Sequence, residues 1–372
     1  MNSVSISLII PTLNEAANLP KLCERISKAL AGRSYEIRLV DDNSKDNTIP
    51  VCEELAKTYP LILMTRKQPK NGLGGAVLHG MNAALGEYLV VMDADLQHPP
   101  EKLPELLAPL EKNEADFVIG SRYVAGGSTQ GEWSLFRQMN SQVATLLARP
   151  FAGRTGDPMS GFFALKHSTF NGASHLTPLG YKIGLELMCK CRVQRIKEIP
   201  IDFAQREHGQ SKLSLKEQFR YLEHLSRLYD FCYPRLSPMT KFLVVTSLGW
   251  FLGLALFAAY WEMLLPVTTA TFAYLCTIGT TMLFHVRYIR TQREFIVGPN
   301  PWVSFILIAI VEMIAVWLVS KWMYHRLTYT HPVEFWTIAY GFGIAVRYVL
   351  RKEFLQDIRG LRKDERTTEL QG

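Results

Sequence analysis

The sequence predicts an α/β domain built on a parallel sheet, followed by a bundle of membrane-spanning helices. Three observations predict it. Short β-rich runs alternate with helix-like stretches from Val4 to about Phe203, the pattern of a parallel sheet wrapped on both faces. Several of those runs end abruptly in acidic or amide side chains, where open α/β sheets carry their ligand chemistry. From Phe242 onward the chain becomes a series of apolar stretches, each about the length a helix needs to cross a bilayer.

Val4 to Pro11 reads as the first strand, and Leu19, Leu22, Ile26 and Leu30 follow at helical spacing. Tyr35 to Val40 is a second strand ending in Asp41-Asp42-Asn43-Ser44. Pro50 to Tyr59 is helical and Leu61 to Thr65 a strand. Asn71-Gly72-Leu73-Gly74-Gly75 reads as a flexible loop entering a helix from Ala76 to Leu85. A Gly-rich loop before a helix is a weak phosphate signal by itself. Tyr88 to Met92 is an apolar strand that stops at Asp93-Ala94-Asp95-Leu96-Gln97, with Pro99 and Pro100 beyond. Asp116 to Ile119 adds a strand before Gly120-Ser121-Arg122-Tyr123.

Acidic and amide side chains at strand ends are often helix N-caps, which suits Asp46 and Asn47. It suits Asp93 and Asp95 poorly, because the prolines mark the next helix start several residues later. Two carboxylates two residues apart can share one divalent cation, and Gln97 adds a neutral oxygen. Oxygen ligands alone favour Mg²⁺ or Mn²⁺ over zinc. Asp93, Asp95 and Gln97 are therefore the expected metal ligands.

The 372 residues carry 41 Lys+Arg against 34 Asp+Glu, a net charge of +7. No Lys/Arg block resembles a nucleic-acid arm, so the excess fits anionic phosphates or an anionic membrane surface and no nucleic-acid partner is expected. The six cysteines make no paired CxxC framework, so reduced thiols are expected, with Cys189 and Cys191 in ordinary packing. The N-terminus has no basic segment followed by an apolar one, and no secretory signal is expected.

In order along the chain, Pro11-Thr12-Leu13-Asn14-Glu15, Asp41-Asp42-Asn43-Ser44, Gly72-Leu73-Gly74, Asp93 to Glu101 and Gly120-Ser121-Arg122-Tyr123 resemble family 2 glycosyltransferases, most closely the dolichol-phosphate (polyprenol-phosphate) mannosyltransferase type. The resemblance continues through Arg137, Ser141, Asp157 to Phe163, Gly180-Tyr181-Lys182, Glu186, Glu198-Ile199-Pro200, Arg206 and Gly209 to Leu213. It implies a GT-A (Rossmann-like) fold over residues 1–212 that binds a sugar nucleotide. Pro11, Leu13, Glu15, Val40 and Asp42 would hold the nucleoside. Asp93, Ala94, Asp95 and Gln97 would hold metal and diphosphate. Leu13 stands where the family often has Tyr, and Asn43 where Gly is common, a turn position that Asn tolerates.

Arg122, Arg137, Arg154, Lys182, Arg206 and Lys212 have no acidic partner nearby in sequence. The resemblance implies that such groups gather two phosphates. Arg122, Lys182, Arg206 and Lys212 would reach the donor, and Arg122, Arg137 and Ser141 the acceptor phosphate. Asp95, Arg122, Arg206 and Lys212 are the expected catalytic set, with Asp157 in reserve to orient sugar hydroxyls. Arg offers a planar fork and Lys a mobile charge for phosphate oxygens. A phosphate monoester is mostly ionised at neutral pH, its second pKa being about 6, so it needs no strong general base to attack the anomeric carbon. The expected activity is inverting transfer of mannose from GDP-mannose to dolichyl or polyprenyl phosphate. The alternatives are another donor such as UDP-glucose and, from a different class, a lipid-sugar translocator or scaffold.

Residues 213–236 read as a basic amphipathic helix, with Leu215, Phe219, Leu222, Leu225 or Ser226, and Tyr229 on one side, suited to the membrane interface. The competing reading is a helix packed on the sheet. The transmembrane region, 237–352, contains four expected helices near 242–261, 265–284, 302–323 and 333–350, with Trp250, Tyr260, Trp261, Trp302, Trp322, Tyr324 and Trp336 as an aromatic belt. Arg287, Arg290 and Arg293 lie in the central loop. Arg347, Arg351, Lys352, Arg359, Arg362 and Lys363 are read as charges of the basic tail, which spans 353–372. The positive-inside rule then expects a multi-pass protein with its catalytic domain on the cytoplasmic face.

Overall fold

The computed structural model describes residues 4–129, 135–153, 155–173, 176–180, 182–191, 193–204, 215–284, 301–326 and 331–356. Side chains at 135–141, 215–216, 238, 282–284, 301–305 and 351–356 are outside the description. Arg206, Lys212 and Arg154 lie outside the described residues, as do the central loop and residues 357–372 of the basic tail. The chain forms two compact units, Met1–Leu228 and Tyr229–Gly372.

The first unit alternates strands and helices in the order β1 (Ile6–Thr12), α1 (Leu19–Ala29), β2 (Tyr35–Asp41), α2 (Thr48–Leu55), β3 (Leu61–Thr65), α3 (Gly72–Ala83), β4 (Tyr88–Val91), α4 (Leu103–Glu111), β5 (Phe117–Ser121), β6 (Ser128–Thr129), α5 (Leu135–Ala152), β7 (Phe163–Lys166), α6 (His167–Asn171), α7 (Ile183–Lys190), β8 (Ile196–Pro200), β9 (Asp202–Phe203) and α8 (Leu215–Cys232). Among the described residues the main sheet runs β3-β2-β1-β4-β7-β5-β8, and β6 pairs with β9 separately.

Every residue of β1 is buried, as expected for a strand covered on both faces. Its side chains alternate between two cores. Leu8 and Ile10 join Leu22 and Ile26 of α1 and Leu106 and Leu107 of α4. Ile9 joins Val77 and Met81 of α3 on the other face. Gly80 lets α3 lie close to the sheet, since a Cβ there would stand 2.7 Å from Ile9 Cγ2.

Two details depart from expectation. The sheet is mixed, because β7 runs antiparallel to both β4 and β5. Helix α3 begins at Gly72 rather than Ala76, so the glycines form its first turn. A Cβ on Gly74 would meet Gly180 O and Pro178 Cβ, each at 3.0 Å, which explains this glycine by packing rather than by phosphate binding.

Helix α8 forms as expected, but the covered side is rotated and shares only Leu225 of the buried residues with the expected one. Tyr221, Leu225 and Leu228 enter the core of the first unit, and the Tyr221 hydroxyl donates to Ala144 O at 2.7 Å. Phe219 and Leu222 remain exposed.

The second unit contains α9 (Ser237–Tyr260), α10 (Pro266–Phe284), α11 (Pro301–Arg326) and α12 (Pro332–Gln356). Among the described residues three helices are long and apolar enough to cross a membrane: Met239–Tyr260, Ile306–Arg326 and Pro332–Leu350. The other expected span coincides with α10. Gly249 and Gly253 of α9 seat aromatic rings of α12, where Cβ atoms would collide with Tyr340 Oη and Trp336 Cζ2. Trp336 is fully buried and its indole N–H donates to Trp250 O at 3.0 Å, so it belongs to the bundle core rather than to an aromatic belt.

Arg347 also departs from expectation. It sits inside α12, buried, and its Nε and Nη2 donate to Glu312 Oε1 and Oε2 of α11 at 2.9 and 2.7 Å. Tyr274 Oη of α10 donates to Glu312 Oε2 at 3.2 Å, and Arg347 Nη1 to Thr281 Oγ1 at 3.3 Å. Three helices thus share one buried polar knot.

Candidate active site

The site lies beyond the carboxyl ends of β4 and β5. Strand β4 delivers Asp93 and Asp95, and the chain then turns back sharply. Leu96 adopts a left-handed backbone, φ +63°, which costs a leucine about 1–2 kcal/mol. Its side chain is buried in the core, which returns about 1.5–3 kcal/mol and holds the strained turn. Within that turn Asp95 Oδ1 accepts the Gln97 N–H at 3.2 Å, and Gln97 Nε2 donates to Ala204 O at 3.0 Å.

His98 braces the same turn. The Asp93 N–H donates to His98 Nδ1 at 3.1 Å, which puts the imidazole proton on Nε2. The ring stacks on Phe162 with centroids 5.3 Å apart. Burial holds its pKa below the ordinary histidine value, although Asp93 and Asp95 pull the other way. Its position inside the Asp93–Glu101 motif was visible in the sequence, but its support of Asp93 was not.

Arg122 leaves the end of β5 and is not without an acidic partner. Its Nε and Nη2 each donate to the Asp157 carboxylate at 2.7 Å, and its backbone N–H to Asp157 Oδ2 at 3.1 Å. The Asp157 side chain is wholly buried. Glu198 of β8 fixes it in turn, accepting the Gly156 and Asp157 N–H groups at 2.9 and 3.0 Å. The guanidinium lies over the rings of Tyr123 and Phe203, 5.2 Å from each centroid. Asp157 therefore orients Arg122.

Lys182 immediately precedes α7, and its Nζ donates to Met159 O at 2.8 Å. Burial first, and the charge of Arg122 second, push its pKa down to about 8. Asp93, Arg122 and Lys182 line one cavity with His98, Gly161 and Phe203. Asp95 and Gln97 are not among its lining residues.

On the nucleoside side, Pro11 pairs with Val40 across β1 and β2. Asp42 forms an ion pair with Arg66 Nη1 at 2.9 Å, and Arg66 also donates to the Lys70 and Gly72 carbonyls. Arg66 was missed in the sequence because its partner lies on another strand end. Glu15 Oε2 accepts from Asn18 at 2.7 Å, and Leu13 is half-buried. Asn43 takes φ +63°, the turn geometry expected of it. Asn14 and Ser44 tie the two strand-end loops together, with the Asn14 N–H donating to Ser44 Oγ at 2.8 Å. Arg137 and Ser141 lie on α5, but their side chains are outside the description.

Among the described residues no group of three or more His, Cys, Asp or Glu side chains could hold a metal ion alone. Asp93, Asp95 and Gln97 would supply two carboxylates and one amide oxygen, only part of a shell. Gln97 turns its nitrogen toward Ala204, so its oxygen faces the other way. Mg²⁺ is usually held by one or two carboxylates, with water and substrate phosphates completing the octahedron. The residue set fits a cation shared with a diphosphate.

Residues 7–171 match the family model described as Glycosyl transferase family 2. The dolichol-phosphate mannosyltransferase of Pyrococcus furiosus is 43% identical over 228 residues, which cover 60% of this chain and 64% of that protein. The enzyme of the same name from Mycosarcoma maydis is 40% identical over 236 residues, 61% of this chain and 80% of that one. That from Saccharomyces cerevisiae is 36% identical over 239 residues, 62% and 88%. The match thus spans just under two thirds of the first relative and most of the other two.

Proposed function

This chain belongs to the dolichol-phosphate mannosyltransferase group of glycosyl transferase family 2, and on that footing we propose that it moves mannose from GDP-mannose to a dolichyl or other polyprenyl phosphate. The observation that carries the reading is the cavity where Asp93 meets two cations, Arg122 and Lys182, in a chain whose second unit is built of apolar helices. The catalytic unit is assigned to the cytoplasmic face.

Pro11, Leu13, Glu15, Val40 and Asp42 hold the nucleoside in this reading. Asp93, Asp95 and Gln97 hold Mg²⁺ or Mn²⁺, with Ala94 beside the diphosphate. The cation, when bound, neutralises negative charge on the leaving diphosphate. Arg122, Lys182, Arg206 and Lys212 face the donor phosphates, and Arg122, Arg137 and Ser141 the acceptor phosphate. An oxygen of the lipid phosphate forms a bond to the anomeric carbon as the bond from that carbon to the diphosphate breaks. The electron pair leaves with GDP, and the centre is inverted. Fixed positive charge aimed at the departing group supplies the rate.

The test uses the purified full chain with a short polyprenyl phosphate, offered GDP-mannose or UDP-glucose, with the lipid product read by mass. Lipid-linked mannose from GDP-mannose is expected. Product from UDP-glucose alone would overturn the donor, and product from neither would overturn the activity.

Lys182 gives a pH dependence. Its charge is present below about 8 and is lost as pH rises through that value. The donor kcat/KM, which reports the free enzyme, is expected to fall on the alkaline side of about pH 8. Lys182→Met should lower donor kcat/KM at pH 7 and remove that alkaline limb. An unchanged limb in the variant would show that another group titrates there.

A further inference from the structure

Glu186, Lys190 and His224 form a buried polar cluster, edged by the exposed Thr177, that the proposed transfer chemistry does not use. Glu186 lies on the first turn of α7, and its carboxylate gathers groups from three places. Oε1 accepts the Thr177 N–H and Lys190 Nζ, each at 2.7 Å. Oε2 lies 3.4 Å from His224 Nε2 on α8. Lys190 Nζ also donates to Thr177 Oγ1 at 3.2 Å. Glu186 and His224 are each 1% exposed.

The segment leading from Thr177 to Lys182, of which Tyr181 lies outside the described residues, is tied down at its start by the helix that Lys182 introduces. On the way, Gly180 takes φ +75° and offers its carbonyl to the Gly74 N–H at 2.8 Å, which secures the segment to the first turn of α3. Helix α8 backs it, since a Cβ on Gly180 would lie 3.5 Å from Glu217 Oε2. Lys182 then places its ammonium on Met159 O in the cavity wall.

A lysine side chain is long and loses much rotamer freedom when fixed, so where its charge rests depends on where its backbone enters. A buried carboxylate with cationic partners gains no stability over a well-packed apolar side chain. Packing alone therefore does not account for a carboxylate here, whereas holding a loop to a helix does. We propose that Glu186 is a positioning residue of the donor site: it fixes the segment that carries Lys182 and acts on the donor through Lys182. The inference rests on the reading of Lys182 as a donor-phosphate contact.

The test is a double-mutant cycle on the full chain, with donor KM and kcat measured separately. Glu186→Ala is expected to raise donor KM about tenfold with kcat nearly unchanged, and Lys182→Met to raise it at least as much. The double variant should match Lys182→Met alone, because groups acting as one unit are non-additive. Glu186→Gln keeps an acceptor for the Thr177 N–H and is expected to restore most of the wild-type KM, which also covers a Glu186→Ala protein that fails to fold. Multiplying losses in the double variant, or a wild-type KM in both Glu186 variants, would overturn the inference while leaving the donor site in place. A Lys182→Met enzyme with wild-type donor KM would overturn the donor-site placement of Lys182 and the inference with it.

Discussion

Asp95→Asn is expected to cut transfer by about a hundred- to thousandfold at saturating substrates, the range typical for loss of one group that stabilises transition-state charge. The substitution is chosen for what it keeps. Asp95 Oδ1 accepts the Gln97 N–H, and an asparagine oxygen can do the same. The left-handed turn at Leu96 depends on a buried leucine that the substitution does not touch. What is lost is one negative charge at a buried position beside the proposed cation. The unfolding midpoint should therefore stay within a few degrees of wild type, and raising Mg²⁺ or Mn²⁺ should recover part of the rate. The measurement is the initial rate of lipid-linked sugar formation across a metal titration, with thermal unfolding in parallel. A rate within tenfold of wild type, at every metal concentration, would sink the assignment of Asp95 as a ligand.

Asp93 and Asp95 were legible in the sequence for a physical reason. Two carboxylates at the end of a buried apolar strand stand out, and the nearby prolines argue against reading them as helix caps. The alternation of strands and helices was legible for the same kind of reason, since each strand must bury both faces. The direction of β7 was not. An apolar run such as Phe162 to Leu165 reads the same in either direction, and its reversal is set by the long excursion through α5. Partners were not legible either. Arg122 and Asp157 are 35 residues apart, and Arg66 reaches back to Asp42 across a neighbouring strand end. Spacing reveals what a side chain can do but not whom it meets. Helix α8 shows the limit within one element: Leu225 belongs both to the apolar side through Phe219 and Leu222 and to one through Tyr221 and Leu228, and only packing selects the second. Arg347 was read as a tail charge although it falls within the expected span 333–350. Nothing in a hydropathy profile separates an arginine that leaves the bilayer from one that stays inside with a glutamate.

Glu312→Leu is expected to destabilise the second unit by about 3–5 kcal/mol, the usual consequence of stranding one member of a buried ion pair. The left-over group is Arg347, whose Nε and Nη2 both rest on Glu312 and whose only other described acceptor is Thr281 Oγ1. Buried among apolar helices, the guanidinium has no ready replacement for the carboxylate. Removing both charges has a different outcome. Glu312→Leu combined with Arg347→Leu leaves only Tyr274 and Thr281 to find other acceptors, at about 1 kcal/mol for each hydrogen bond. The double variant should therefore recover most of what the single one loses, and Tyr274→Phe should cost no more than about 1.5 kcal/mol. Tryptophan fluorescence follows this unit selectively, because all tryptophans except Trp133 (250, 261, 302, 317, 322 and 336) lie in it. Thermal or denaturant unfolding of the full chain in one detergent then ranks the variants. A double variant as unstable as Glu312→Leu alone would mean that the pair contributes net stability of its own, against the desolvation argument. A double variant that unfolds like wild type yet transfers sugar poorly would place the ionic knot in function, since its charges would then be retained for something other than holding α10, α11 and α12 together.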